Sequence, residues 1–384
     1  MKHADEYRDP ALALLLADKI ARAAYARPQY RLMEFCGGHT HAISRYGIAD
    51  LLPANVNMIH GPGCPVCVLP IGRIDNAIEL VLQHPLTLCT YADTLRVPAS
   101  DRLSLMQAKA RGADVRMVYS AADALRLAQE DPAREIVFFA IGFETTAPST
   151  ALAIRAADRL RLPNFSVFCN HVLTPPAMSA ILGSTQAQGS GGAGIDGVVG
   201  PGHVSCVIGS RAYEPVAEEY CRPVVIAGFE PLDLMQTVLM LIHQINRNRH
   251  EVENEYTRAV TREGNAMAQE LMEEVFVLRD SFEWRGLGEI ADSAYGIRQK
   301  YARFDAERRY GIARRRASDN KACECGAILR GEKKPADCRV FGTACTPDNP
   351  LGACMVSSEG ACAAHYSYGR FRASAAAQTA GLAL

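Results

Sequence analysis

Three groups of residues in this 384-residue chain have the types and spacing to do chemistry. Cys64 and Cys67 stand in HGPGCPVCVLPIG, residues 60–72. A CxxC pair is compatible with half of a metal site, a thiol–disulfide switch, or a tight turn holding two small apolar side chains. Upstream, FCGGHTH at 35–41 places one thiol, Cys36, and two imidazoles, His39 and His41, around glycines that let backbone approach a ligand closely. Near the C-terminus six cysteines crowd into residues 323–362: Cys323, Cys325, Cys338, Cys345, Cys354 and Cys362.

Thirteen cysteines in one chain point to metal or redox chemistry in a compartment where disulfides do not normally persist. Chance burial of small apolar thiols does not cluster them in this way. Four thiolates can close around zinc or an iron-sulfur cluster. A zinc ribbon shows two CxxC knuckles, whereas the segment begins with CxC and then spaces its thiols widely, which favours iron-sulfur. Six thiols for four ligands leave the choice open; Cys325, Cys338, Cys345 and Cys362 are the preferred set, with Cys323 and Cys354 as alternates.

The elements that must position these groups read as α/β. Short β-branched or aromatic runs, each followed by a turn and a helical pattern, give the rhythm of a parallel sheet. One set is Arg31–Phe35, Val56–His60, Leu86–Tyr91 and Val115–Tyr119; a second is Ile136–Ile141, Phe165–Asn170, Val198–Gly200 and Val224–Ala227. The expectation is two sequential parallel-sheet α/β domains, residues 1–128 and 129–249. A helix over Leu232–Asn248 is expected to end the second domain; a C-terminal cysteine-rich iron-sulfur domain, largely helical or irregular, follows over 250–384, with a helix over Glu253–Met272 and a frayed tail from Ala373. Gly61-Pro62-Gly63 resembles Gly200-Pro201-Gly202, a likeness of turn chemistry and no proof of a repeat. In parallel sheets ligands gather beyond the carboxyl ends of the strands. Cys36, the Gly61–Cys67 loop, Asp93 and Gly142–Thr146 all fall there.

Composition narrows the function classes. A net charge of −1 with 22% charged residues gives no global field for nucleic acid, and the basic run Arg308–Arg316 reads as solvated surface. The apolar stretch Ala11–Ala17 lacks the layout of a signal peptide, and no window approaches a membrane span. A soluble, cytoplasmic protein is expected. Phosphate-loop, dinucleotide-binding and nucleophile-elbow motifs do not occur.

Taken together, FCGGHTHAI at 35–43, HGPGCPVC at 60–67, GFETTAPSTA at 142–151 and CTPDNPLGACMVSSEGACAAHY at 345–366 resemble the HypD family of hydrogenase maturation factors over nearly the whole chain. The resemblance implies a scaffold that, with a small HypC-type chaperone, assembles the Fe(CN)2CO centre of [NiFe]-hydrogenase, its cyanide made by a HypE/HypF pair. It also implies a [4Fe-4S] cluster, three domains, and Cys36 as the thiol that ligates the transient iron, with His39 close by. A strand-end position near a helix N-terminus is expected to favour the Cys36 thiolate. Gly37 and Gly38 N–H groups and the hydroxyls of Thr145 and Thr146 are candidates to hold cyanide ligands, and Glu144 is either a proton-transfer group or a first-turn helix carboxylate. His171 and His203 read as structural histidines. With a separate cluster site available, Cys64 and Cys67 are best read as a redox pair. The competing reading is an iron-sulfur disulfide reductase resembling ferredoxin:thioredoxin reductase, which has no need of CGGH.

Overall fold

All eight of those runs form strands in the computed structural model, which describes residues 5–187 and 194–369. They are β1 Tyr30–Glu34, β2 Val56–His60, β3 Leu86–Thr90, β4 Val115–Met117, β5 Glu135–Gly142, β6 Phe165–His171, β7 Gly197–Gly200 and β8 Val224–Ile226, joined by β9 Val252–Asn254. Both sheets are parallel, as buried β-branched runs connected by helices require.

Their order corrects the sequential arrangement. The first sheet runs β2-β1-β7-β8-β9 and the second β4-β3-β5-β6. The second sheet is therefore an insertion between β2 and β7. The reason lies in β1: four of its five residues are buried, so it needs a partner on each edge, and β7 takes the edge that β2 leaves. This placement also accounts for the two Gly-Pro-Gly turns. Each follows a strand that flanks β1, so the Cys36 loop lies between them.

Helix Pro231–Asn246 appears where expected. The run Glu253–Met272 does not form one helix. Glu253 lies in β9, and the helix begins only at Ala266, capped by Asn265, whose side chain accepts from Ala268 N–H at 3.1 Å. Gly264, at φ +72°, turns the chain just before it; breaker and cap chemistry outweigh the helix formers around them.

The C-terminal part is less helical than expected. It carries two antiparallel ribbons, β10 Phe276–Leu278 with β13 Tyr295–Ile297 and β11 Ser281–Trp284 with β12 Gly288–Ala291, followed by short helical turns. Its apolar residues are continuous with the second sheet: Trp284, Ile328, Leu329, Met355 and the buried cysteines share one core with Val66, Val68, Phe139 and Phe143. The basic run is a strap as well as a surface. Arg309 pairs with Glu135 and Arg315 with Glu79, while Ala313 O accepts from Asn76 Nδ2 at 2.9 Å. The tail from Ala373 lies outside the described residues. No helix among the described residues is long and apolar enough to cross a membrane.

Trp284 is the only tryptophan, fully buried, with its indole Nε1–H donating to Ser293 Oγ at 2.9 Å. Trp284→Ala is expected to cost about 3–5 kcal/mol. Denaturant unfolding followed by circular dichroism measures this without the lost fluorophore; an unchanged midpoint would exclude Trp284 as the centre of the shared core.

Candidate functional site

The carboxyl ends of the two sheets face a cleft of about 400 Å³. Cys36 and Gly37 line it from the β1 loop, Gly63, Pro65 and Val66 from the β2 loop, Asp93 from beyond β3, and Gly142 from the end of β5 with Phe143, Thr145 and Thr146 just after it. His203, from the helix Gly202–Ile208 after β7, and Ser357, Ser358 and Glu359 from the cysteine-rich segment complete the wall.

The Cys36 loop is held from below by Glu34. This carboxylate, fully buried at the end of β1, accepts the Cys36 N–H at 2.8 Å, the Thr40 hydroxyl, and a hydrogen bond from His60 Nδ1 at 3.0 Å. Gly63 makes the next contact. A Cβ there would sit 2.4 Å from Cys36 N, so only glycine lets the β2 loop close on the β1 loop. Gly37 N–H donates to Gly63 O at 2.9 Å across that junction.

Cys36 Sγ lies 3.9 Å from His203 Nδ1, and the His203 ring stacks on Phe229 with centroids 3.9 Å apart. Burial, followed by the Glu34 and Glu359 carboxylates, pushes the Cys36 thiol up to about 12. Hydrogen bonds from the Gly38 and His39 N–H groups act in the opposite direction and do not prevail. The expectation of a favoured thiolate is thus corrected: Cys36 is held as a thiol, because desolvation of a sulfur anion exceeds what a helix N-terminus returns. Partial burial also lowers the pKa of His203, whose ring opens onto the cleft.

One loop away, Cys64 and Cys67 are joined as a disulfide with Cα atoms 5.2 Å apart. Both are buried, and Cys67 Sγ lies 4.0 Å from Ala353 O, beside Cys354. The CxxC pair and the cysteine-rich segment are therefore neighbours in space.

A model of the "HypD: Hydrogenase formation hypA family" matches residues 11–369. The chain belongs to the HypD family. Similar proteins include the hydrogenase maturation factors HypD of Cupriavidus necator and of Azotobacter vinelandii, each 63% identical over 372 residues, covering 97% of this chain and 98% of the relative. The hydrogenase maturation factor HypD of Escherichia coli K12 is 47% identical over 373 residues, covering 96% and 98%.

Within this HypD chain several expected site residues are placed differently from their sequence reading. His39 does not reach the cleft. It is fully buried, its Nε2 lies 3.1 Å from Ala227 O, and burial lowers its pKa to about 4. Gly37 N–H is committed to Gly63 O and Gly38 N–H to the Cys36 sulfur, so neither is directed at a cyanide. Thr145 is exposed in the cleft, whereas the Thr146 hydroxyl turns back to Ile141 O and Phe143 O, each at 3.3 Å.

Glu144 points away from the cleft and accepts from Thr174 N–H at 2.8 Å and Thr174 Oγ1 at 3.0 Å, serving the N-terminus of the helix Thr174–Ala187. His171 is buried against Thr150 Oγ1 at 2.9 Å. Glu34, Glu359 and the His203–Cys36 contact were not read from sequence. The available signals were one acid ending a largely buried strand and one acid between two cysteines.

The donors of the C-terminal segment fit a thiolate-bound cluster in their chemistry. Cys325 hydrogen-bonds with Cys323 and Cys362, and Cys362 lies within electrostatic reach of Cys345 and Cys354. Leu351 N–H donates to Cys345 Sγ at 3.4 Å, and Gly352 is so close that a Cβ would stand 2.2 Å from Cys323 Sγ. Cys338 is set apart, beside the Glu324 carboxylate. Among the described residues no three His, Cys, Asp or Glu side chains are arranged to hold a single metal ion.

Glu144 supplies a pH test. Burial raises it from 4.5 to about 7, so its contribution to stability is full below about pH 4.5 and is lost as pH rises through about 7. Relative to Glu144→Gln, the native chain is expected to lose up to about 3 kcal/mol between pH 5 and pH 8. Parallel pH-dependent melts would contradict the assignment.

Proposed function

We propose that this chain is the scaffold on which, together with a HypC-type chaperone, the Fe(CN)2CO centre of [NiFe]-hydrogenase is assembled, with Cys36 as its anchor for the iron cargo. The observation that carries this reading is the Cys36 thiol in the cleft between two sheets, with His203 at 3.9 Å and the Cys64–Cys67 bridge one loop away.

A soft, electron-rich iron carrying cyanide and carbon monoxide suits a thiolate anchor, and a partner chaperone can offer a second thiolate from the open side of the cleft. Binding requires Cys36 to lose its proton. His203 is the group placed to take it, in the tautomer that leaves Nδ1 unprotonated. The exposed Thr145 hydroxyl and the His203 ring are among the polar groups that line the cleft and could face an incoming cyanide, delivered by a HypE/HypF-type pair. Opening the Cys64–Cys67 bridge takes two electrons and two protons and yields two thiols. A [4Fe-4S] cluster held by four of the C-terminal cysteines would relay these electrons one at a time from an external low-potential electron donor. A reducing cytoplasm suits the free thiols.

Free-standing disulfide reduction is a weaker reading. Cys67 is fully buried and Cys64 nearly so, so a disulfide on another protein has no access to either sulfur.

Infrared spectra of the anaerobic complex with the chaperone test the anchor. Metal-bound cyanide and carbonyl bands are expected in the native chain and absent in Cys36→Ala; bands retained by the variant would remove Cys36 from this role. Cys64→Ser is expected to abolish hydrogenase maturation while sparing the cluster's visible absorbance. Loss of that absorbance would make Cys64 a cluster ligand instead.

A further inference from the structure

Arg285 occupies the turn between β11 and β12 and is only 4% exposed. Its backbone N–H donates to Val68 O at 2.7 Å, one residue beyond Cys67. The next residue, Gly286, packs against Gly326, one residue beyond Cys325: a Cβ on Gly286 would stand 2.6 Å from Gly326 Cα. Arg330 Nη1 donates to Gly286 O at 2.5 Å and fixes the turn in place. Arg285 therefore sits at the seam between the CxxC loop and the cysteine group.

Its guanidinium is incompletely matched there. Nε donates to Asp319 Oδ1 at 2.7 Å, but that carboxylate is 34% exposed, and Nη1 has no hydrogen-bond partner. A buried cation with one partly solvated counter-charge retains part of its desolvation cost. Neutral thiols do not offset it; thiolates do. Cys323 is within electrostatic reach of this charge.

We propose that Arg285 is a positioning residue of the sulfur-rich site, its buried charge offsetting the negative charge of a thiolate-bound iron-sulfur cluster while its backbone ties that site to the Cys64–Cys67 loop. The inference rests on the reading of the C-terminal cysteines as cluster ligands. A purely structural role would reside in the backbone contact to Val68, which every side-chain variant keeps. The charge is what substitution isolates. Net charge and hydrogen bonding around a cluster set its reduction potential, so charge on this side chain must appear there.

The test uses the full-length chain, reconstituted anaerobically with iron and sulfide, with circular dichroism to verify folding. Arg285→Met is expected to disfavour cluster reduction about tenfold, a shift of about 59 mV to more negative potential for one electron. Arg285→Lys should retain most of the native value. Asp319→Asn, which leaves Arg285 less neutralised, should shift the potential in the positive direction. Opposite signs in the Met and Asn variants are the signature of charge, and Asp319→Asn against the native chain decides alone if the Met variant fails to fold. Equal potentials in the folded variants overturn the role of Arg285. If the native chain takes up no cluster, the cluster reading itself falls and this inference with it, an outcome seen before any variant is compared.

Discussion

The buried carboxylate of Glu34 is the constraint on which the site depends. A carboxylate taken wholly out of water is tolerated only when donors converge on it. Here they come from three elements: the Cys36 N–H of the loop, the Thr40 hydroxyl of the helix Gly37–Tyr46, and the His60 ring at the end of β2. One side chain thereby fixes the loop that carries the thiol to the strand beneath it and to its neighbour. The same negative charge also raises the Cys36 pKa. The group that holds the loop in place also helps keep its sulfur protonated.

The second constraint is that no single domain owns the cleft. The first sheet supplies Cys36 and His203, the inserted sheet supplies Thr145 and Asp93, and the cysteine-rich segment supplies Glu359. Glu359 packs directly on Gly37 and lies between Cys354 and Cys362. The shared core, with Trp284 and Met355 alongside Val66 and Phe143, makes these parts one mechanical body.

What the sequence reveals and what it hides follow from the range of the interactions. Strands were legible because buried β-branched runs are local signals, and all eight formed within a residue or two of their expected limits. Strand order was not legible, because the pairing of β1 with β7 reflects the burial needs of a strand far away in the chain. Cys36 was legible as a cleft residue from its strand-end position. Its protonation was misjudged because a helix N-terminus is visible in sequence and the desolvation that outweighs it is not. His203 read as structural because nothing local announces a contact with a sulfur 167 residues away. Glu144 looked like a cleft residue by position, yet its side chain turned to a helix that begins thirty residues later.

The insertion of one sheet inside the other has a consequence for how the chain is made. β1 emerges from the ribosome long before β7, which begins at Gly197, so the strand that carries the Cys36 loop waits with one edge unpaired while an entire second sheet is synthesised. Such distant pairing is slow to form and leaves edges exposed in the interval. The loop that carries the Cys36 thiol is thus among the last parts of the first sheet to be enclosed. Nascent-chain handling, and the redox state of the surroundings during that interval, bear on this protein as much as its finished architecture does.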